Sequence, residues 1–353
     1  MGVSSDQVQF LICPEVGEYG TPDAGGWLEL PIVSESMAAD VQTTLSNLLN
    51  ADRQVLDSIL AGMSAAGDIS SELVICPAFE LLLASAMSCD ATVNAAGSTT
   101  DPKVNNTYKV DSKLVSFTIQ KRFPDPVNAG KYLYQVVTGC VVNTFSMSVS
   151  PSDAITYNCG IIGKEFIEFT TDRTAAGYTL GTVSSGALGT VTVLRAPDAV
   201  NLEFIGDDFK TEAGSAADII SSRCFGAFEY NINNNYRGIQ CIGTLGNKSV
   251  NLGRCEVSGS GTIHLMDNAL LKTLLSQDNI GLMFRVQKVD NPLTTFDGMF
   301  SAFFPAIKIS ANAVVAGGTG TDVVNEMSFN ALYDSTEAST LTIVEGKGVV
   351  GTT

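Results

Sequence analysis

The chain has little of what chemistry usually needs. It carries one histidine and one tryptophan, and its 20 basic residues face 37 acidic ones, for a net charge of −17. A lone His264 can supply neither a histidine metal set nor a relay with a second base. The shortage of lysine and arginine excludes a protein that grips nucleic acid, because gripping requires cations that neutralise phosphates. No apolar run approaches the roughly 18 residues that a bilayer-spanning helix needs, so no membrane partner is expected. The opening MGVSSDQVQFLIC lacks a basic stretch ahead of an apolar one, which argues against a secretory signal. Asp6 stands where a myristoylation motif would carry Ser or Thr.

Motifs are equally scarce. The eight cysteines, Cys13, Cys76, Cys89, Cys140, Cys159, Cys224, Cys241 and Cys255, are scattered singly with no CxxC pair, several of them inside apolar patterns. They read as reduced, structural residues, which suits assembly in a reducing cytoplasm. No GxSxG elbow, P-loop or GxGxxG is present. Val257-Ser-Gly-Ser-Gly261 looks like a loop, but the stretch it overlays, 69–73, has no glycine, so it is not read as a phosphate cradle. Asp207 and Asp208 are adjacent, and neighbours on a strand point to opposite faces. No catalytic, cofactor-binding or metal-binding residue is therefore assigned, and no enzyme is expected.

What the chain does have is length, 45% hydrophobic content and self-similarity. At 353 residues two domains are favoured. Residues 69–90 overlay 257–278 without a gap, sharing Ser70/Ser258, Ile75/Ile263, Leu82/Leu270, Leu83/Leu271, Ser88/Ser276 and Asp90/Asp278. Downstream, FTIQK at 117–121 meets FRVQK at 284–288, 137–149 lies over 303–315, and 155–161 lies over 323–329. Four blocks in one order indicate a duplicated domain. The pairs Gln120-Lys121 and Gln287-Lys288 recur in both copies, as an interface used twice would require.

Local patterns fill in the repeat. Pro77 suits the first turn of a helix whose apolar face is Phe79, Leu82, Leu83, Ala86 and Met87. Asp267 is a candidate N-cap for a second helix with Leu270, Leu271, Leu274 and Leu275 inward. Val141, Phe145, Met147 and Val149 alternate with Thr144, Ser146 and Ser148; Ile307, Ile309, Ala311 and Ala313 alternate with Lys308, Ser310 and Asn312. Residues 41–60 carry a rough helical period. The counterpart at 228–244, with three asparagines and Gly238, favours extended pieces around a loop, and that reading is adopted for both. The segment 89–111, absent from the second copy, reads as a surface loop. Segments 46–53, 91–111 and 231–238 hold too little apolar content to order themselves. The join at 165–218 reads as extra strands, with alternation at Val191, Val193 and Leu194 and again at Val200, Leu202 and Phe204. One more strand is expected at 341–344, followed by a frayed tail.

The order WLELPIVSESM, GDISSEL with its helix, then YQVVTGCVVNTFSMSVSPSDAITYNCGIIGKEF resembles the tail tube (major tail) proteins of long-tailed bacteriophages. The second half, FEYNINNNYRGIQCIGTLGNKSVNLGRCEVSGSGTIHLMDNALLKTLL, resembles them again, and together the matches span about 27–334. The resemblance implies a mainly β fold, a β-sandwich or barrel with a flanking α-helix, present as two tandem copies. The expected bounds are 1–26 for an N-terminal segment, 27–166 and 223–335 for the tube-like domains, 167–222 for a connecting segment and 336–353 for the tail. It implies a structural virion protein of the virion tail whose partner is itself, in rings of six domains stacked helically into a tube; with two domains per chain, a homotrimeric ring with pseudo-sixfold symmetry is expected, and the rival arrangement is six chains with one repeat in the wall and the other outside it. Other implied partners are the tape measure, tail terminator and distal tail proteins, with double-stranded DNA passing through the lumen without specific binding. The alternatives are the tube of a contractile secretion-type device and a β-rich surface binding module.

Overall fold

The computed structural model describes residues 7–22, 26–48, 54–55, 57–94, 105–127, 132–151, 153–169, 193–205, 219–220, 224–265, 268–291, 295–316 and 322–349. In chain order the first half contains β1 (Gln9–Pro14), β2 (Leu28–Glu29), β3 (Ser34–Glu35), β4 (Ala38–Leu45), β5 (Ser58–Glu72), α1 (Pro77–Met87), β6 (Thr92–Asn94), β7 (Asn105–Lys109), β8 (Phe117–Pro124), β9 (Tyr132–Val149), β10 (Thr156–Gly163) and β11 (Glu165–Phe169). The second half contains β12 (Ala199–Ile205), β13 (Ile219–Ile220), β14 (Phe225–Asn233), β15 (Arg237–Gln240), β16 (Asn247–Asn251), β17 (Glu256–His264), α2 (Ala269–Ser276), β18 (Ile280–Asn291), β19 (Thr295–Ala316), β20 (Val323–Ala331) and β21 (Thr342–Val349). The chain is mainly β, and each of these strands except β15 and β16, which pair with each other, joins one antiparallel network. Among the described residues no helix is long and apolar enough to cross a membrane.

One ladder order occurs twice. In the first half it runs β1, β8, β9, β10, β5, β4. In the second it runs β12, β18, β19, β20, β17, β14. β11 pairs with the early part of β9 as β21 does with the early part of β19. The irregularities recur as well. Asn143 is skipped where β9 meets β10, and Ser310 is skipped where β19 meets β20. Phe117 faces Cys140 before the register slips to Ile119 and Val137, and Ile280 faces Ile307 before it slips to Leu282 and Phe304.

These long strands bend, and the bend is local. At Gly139 φ is 62°, and a Cβ there would lie 2.6 Å from Lys164 Cβ and 2.7 Å from the Tyr19 ring, so only glycine fits. Glu15 holds the corner by accepting from Gly139 N (2.7 Å), Thr118 Oγ1 (2.7 Å), Ser116 Oγ (2.6 Å) and Gly20 N (2.8 Å). The early part of β9 can then belong to the layer of β8 and β11 while its later part belongs to the layer of β10 and β14.

Between the layers lies a single apolar cluster drawn from both halves. Aromatic rings run through it in sequence: Phe79 to Phe145 (6.5 Å), Phe145 to Tyr230 (6.3 Å), Tyr230 to Phe304 (5.4 Å), Phe304 to Phe329 (5.7 Å) and Phe329 to Phe228 (6.4 Å). Each such ring removed from water contributes about 1.5–3 kcal/mol. α1 begins at Pro77 and ends at Ser88 in the left-handed region, and its expected face is buried. Residues 41–45 belong to β4 and 58–60 to β5, as the asparagine-rich counterpart suggested, while 49–53 and 56 lie outside the described residues.

Several expectations are corrected. In α2 Leu270 is buried and Leu274 partly so, but Leu271 and Leu275 are exposed, because nothing among the described residues covers that side; its N-cap is Asn268, and Asp267 lies outside the described residues. On β19 the bulge at Ser310 reverses the alternation, so Ala311 and Ala313 face solvent. The insert 89–111 is not simply a surface loop. Its β7 pairs with β21, and Tyr108 is fully buried with its hydroxyl 3.2 Å from Glu345. β21 accordingly extends to Val349 rather than fraying after 344. Within the join, β12 and β13 are strands and Leu194 is buried, whereas Val191 and the Asp207-Asp208 pair lie outside the described residues.

Segment 231–238 is likewise held firmly. Its first three residues are strand, and Asn234 is buried, donating from its backbone to Asn143 O (2.8 Å) and from Nδ2 to Ala86 O (2.8 Å) and Val142 O (3.0 Å). One side chain thus ties the end of β14 to α1 and β9. Asn234→Ala leaves buried carbonyls without that donor and should lower unfolding free energy by about 2–4 kcal/mol, read from urea denaturation of the soluble subunit. A loss under about 0.5 kcal/mol would mean that the tie is idle.

Candidate assembly surface

Eight strands lie side by side in the order β4, β5, β10, β9, β14, β17, β20, β19. Alternation splits them into a core face and a wet face. Register carries rows of small polar side chains across the wet face: Ser70, Asn158, Ser146, Asn231, Ser258 and Asn330 form one. Thr156, Ser148, Glu229, Ser260 and Ser328 form the next. Ser148, Glu229, Ser260, Glu326, Ala311 and Ala313 line a shallow groove there.

The charge on this face is mostly of one sign. Asp40, Asp68, Glu229 and Glu326 are exposed, while the eight strands contain a single Lys or Arg, Lys308, which stands opposite Asn330 at the end of the first row. Carboxylates that outnumber the one cation among them repel phosphate. Hydroxyls and amides between them leave a wet surface without an apolar grip.

The run of eight strands has two ends. Among the described residues β4 is laddered only to β5, and residues 311–316 of β19 only to β20. The first end is blunted beside β4: Met37 donates its N–H to Glu35 Oε2 (2.9 Å) and accepts from Lys121 Nζ (2.8 Å), and Lys121 and Glu35 are 2.6 Å apart.

Lys121 belongs to the recurring Gln-Lys pair, and the structure corrects its reading as a repeated interface residue. The shared register slip aligns Phe117 with Ile280, not Phe284, so Lys121 and Lys288 occupy different places. Lys121 is buried beside Glu35, whereas Lys288 is partly exposed. The overlay of 117–121 on 284–288 matched letters and missed the slip.

Elsewhere the reactive groups do not converge. Among the described residues no three of His, Cys, Asp and Glu are grouped as a metal would need. His264 closes β17 with Nδ1 3.9 Å from Asp322, on the surface. The cysteines are free, five of them buried. Burial pushes the Cys89 and Cys255 thiols up to about 11 and those of Cys140 and Cys159 higher, so these thiols stay protonated and inert at neutral pH. Sequence reasoning found the polar rows on β9 through their alternation. It missed Glu35, Glu229 and Glu326, whose only signal was a carboxylate at alternate strand positions.

Because these thiols keep their protons longer folded than unfolded, the stability they contribute is complete below pH 9 and is lost as pH rises towards 11. Denaturation midpoints between pH 7 and 11 should fall across that window. At pH 8 a thiol reagent should label exposed Cys224 first and leave the buried five untouched until unfolding.

A family model described as phage tail tube protein matches residues 5–331 of the chain. No curated protein matches it.

Proposed function

The chain belongs to the phage tail tube protein family, and from that premise we propose that it assembles into rings of three chains, stacked into the tube through which the genome leaves. The observation that carries this reading is that the ladder order occurs twice, with four strands of each copy lying in one continuous run of eight. Each chain then supplies two tube units, about 9–169 and 199–349. These bounds add β1, β12 and β21 to the expected domains, since each pairs within its own half.

Three such runs would close a barrel of about 24 strands. With strands about 4.8 Å apart and tilted by about 40°, its backbone diameter is roughly 45–50 Å, wide enough for a duplex. Covalent linkage presents the two units to each other at high effective concentration. Symmetry is strictly threefold, because β7 pairs with β21 and the second half carries no such insert. Native mass spectrometry of isolated rings should count three chains; six chains would end this arrangement.

The wet face lines the lumen in this reading, facing passing DNA with carboxylates that keep friction low. Tubes made from a Glu229→Lys/Glu326→Lys variant should keep their shape yet retain short duplex DNA in a salt-dependent manner, while wild-type tubes retain almost none. Equal retention by both would place the acidic face elsewhere. The tape measure, terminator and distal tail proteins are the expected partners at the tube's ends.

A further inference from the structure

Building on the tube reading, we propose that each chain joins the next by pairing the outer edge of β3 and β4 with residues 311–316 of its neighbour's β19, in the register that β14 and β9 already use within the chain. The partner is a second copy of this chain, and the internal seam is the template.

In that seam Asn231 stands opposite Ser146 and Tyr230 opposite Met147. The bond from Asn234 N to Asn143 O shows which residues aim their backbone groups across it: Tyr230 and Ile232 from one side, Phe145, Met147 and Val149 from the other. The ladders carry these positions into the other half. One level across the first half is Ala38, Ala66, Ile162 and Val141, and the matching level across the second is Asn231, Ser258, Asn330 and Lys308. Ala38 therefore holds the place of Asn231. The bulges at Asn143 and Ser310 correspond, so Ala313 holds the place of Ser146. Transferring the seam sets Ala38 opposite Ala313, and Met37 opposite Val314.

Both edges suit the role. On residues 311–316, Val314 and Val315 are exposed apolar side chains that the neighbour's Met37 and Ser36 would cover. At Met37, the place of Tyr230, the backbone N–H and C=O that a neighbour would bind are held by Glu35 and Lys121. These side chains stand in for the missing strand, which protects a free subunit from random edge pairing. Ring closure exchanges them for Val314.

Cross-linking tests the register. Positions 38 and 313 form a non-hydrogen-bonded pair, with Cα atoms about 4.5 Å apart, within reach of a disulfide. In a Cys224→Ser background, Ala38→Cys/Ala313→Cys rings oxidised and run on non-reducing gels should give dimers and trimers, with the series ending at three. Val314→Pro removes an N–H aimed at the neighbour and none from its own ladder, so it should leave a folded monomer with unchanged circular dichroism and no rings. Rings without the disulfide or rings formed by Val314→Pro each overturn this seam and leave the tube reading intact, whereas a cross-linked series running past three keeps the seam and ends the three-chain ring. Wild-type protein that forms no ring at any concentration overturns both.

Discussion

The structure depends on one antiparallel seam, β9 against β14, because it alone makes two similar halves into a single eight-stranded run. Each half has the strands of a small β domain, but its core is shared. Phe145 and Tyr230 meet across the seam and lead on to Phe304 and Phe329, so apolar surface of either half is buried against the other. Backbone hydrogen bonds and aromatic packing thus reinforce each other at one place. Asn234 adds a third tie by holding the turn after β14 to α1.

The same seam explains the division of labour between faces. Strands that contribute every second side chain to a shared core must turn the others outward, and here those others are Ser, Thr, Asn, Asp and Glu. An acidic composition that argues against gripping nucleic acid is displayed on this surface mainly as carboxylates, which repel a polyanion. The cysteines follow the same logic from the inside, as small buried groups kept protonated by desolvation.

Legibility varied with how local the signal was. The alternation in 141–149 and the α1 face were readable because each depends on neighbours in the chain. The phase of β19 was not, since the Ser310 bulge is set by pairing with β20 and leaves no composition signal. The exposure of Leu271 and Leu275 was hidden because a leucine pattern states which side is apolar, not whether anything packs there. The burial of Glu345 beside Asn106 and Tyr108 joins residues more than 230 positions apart.

The sequence by itself determined the family, the mainly β class and the recurrence of blocks, because these follow from residue types and periodicities that survive without a partner. Tertiary structure decided which repeated residues are equivalent. The Gln-Lys pairs match in letters, yet Lys121 binds Glu35 and Met37 while Lys288 takes a different place, since strand register is a property of hydrogen-bonded partners and one bulge shifts everything beyond it.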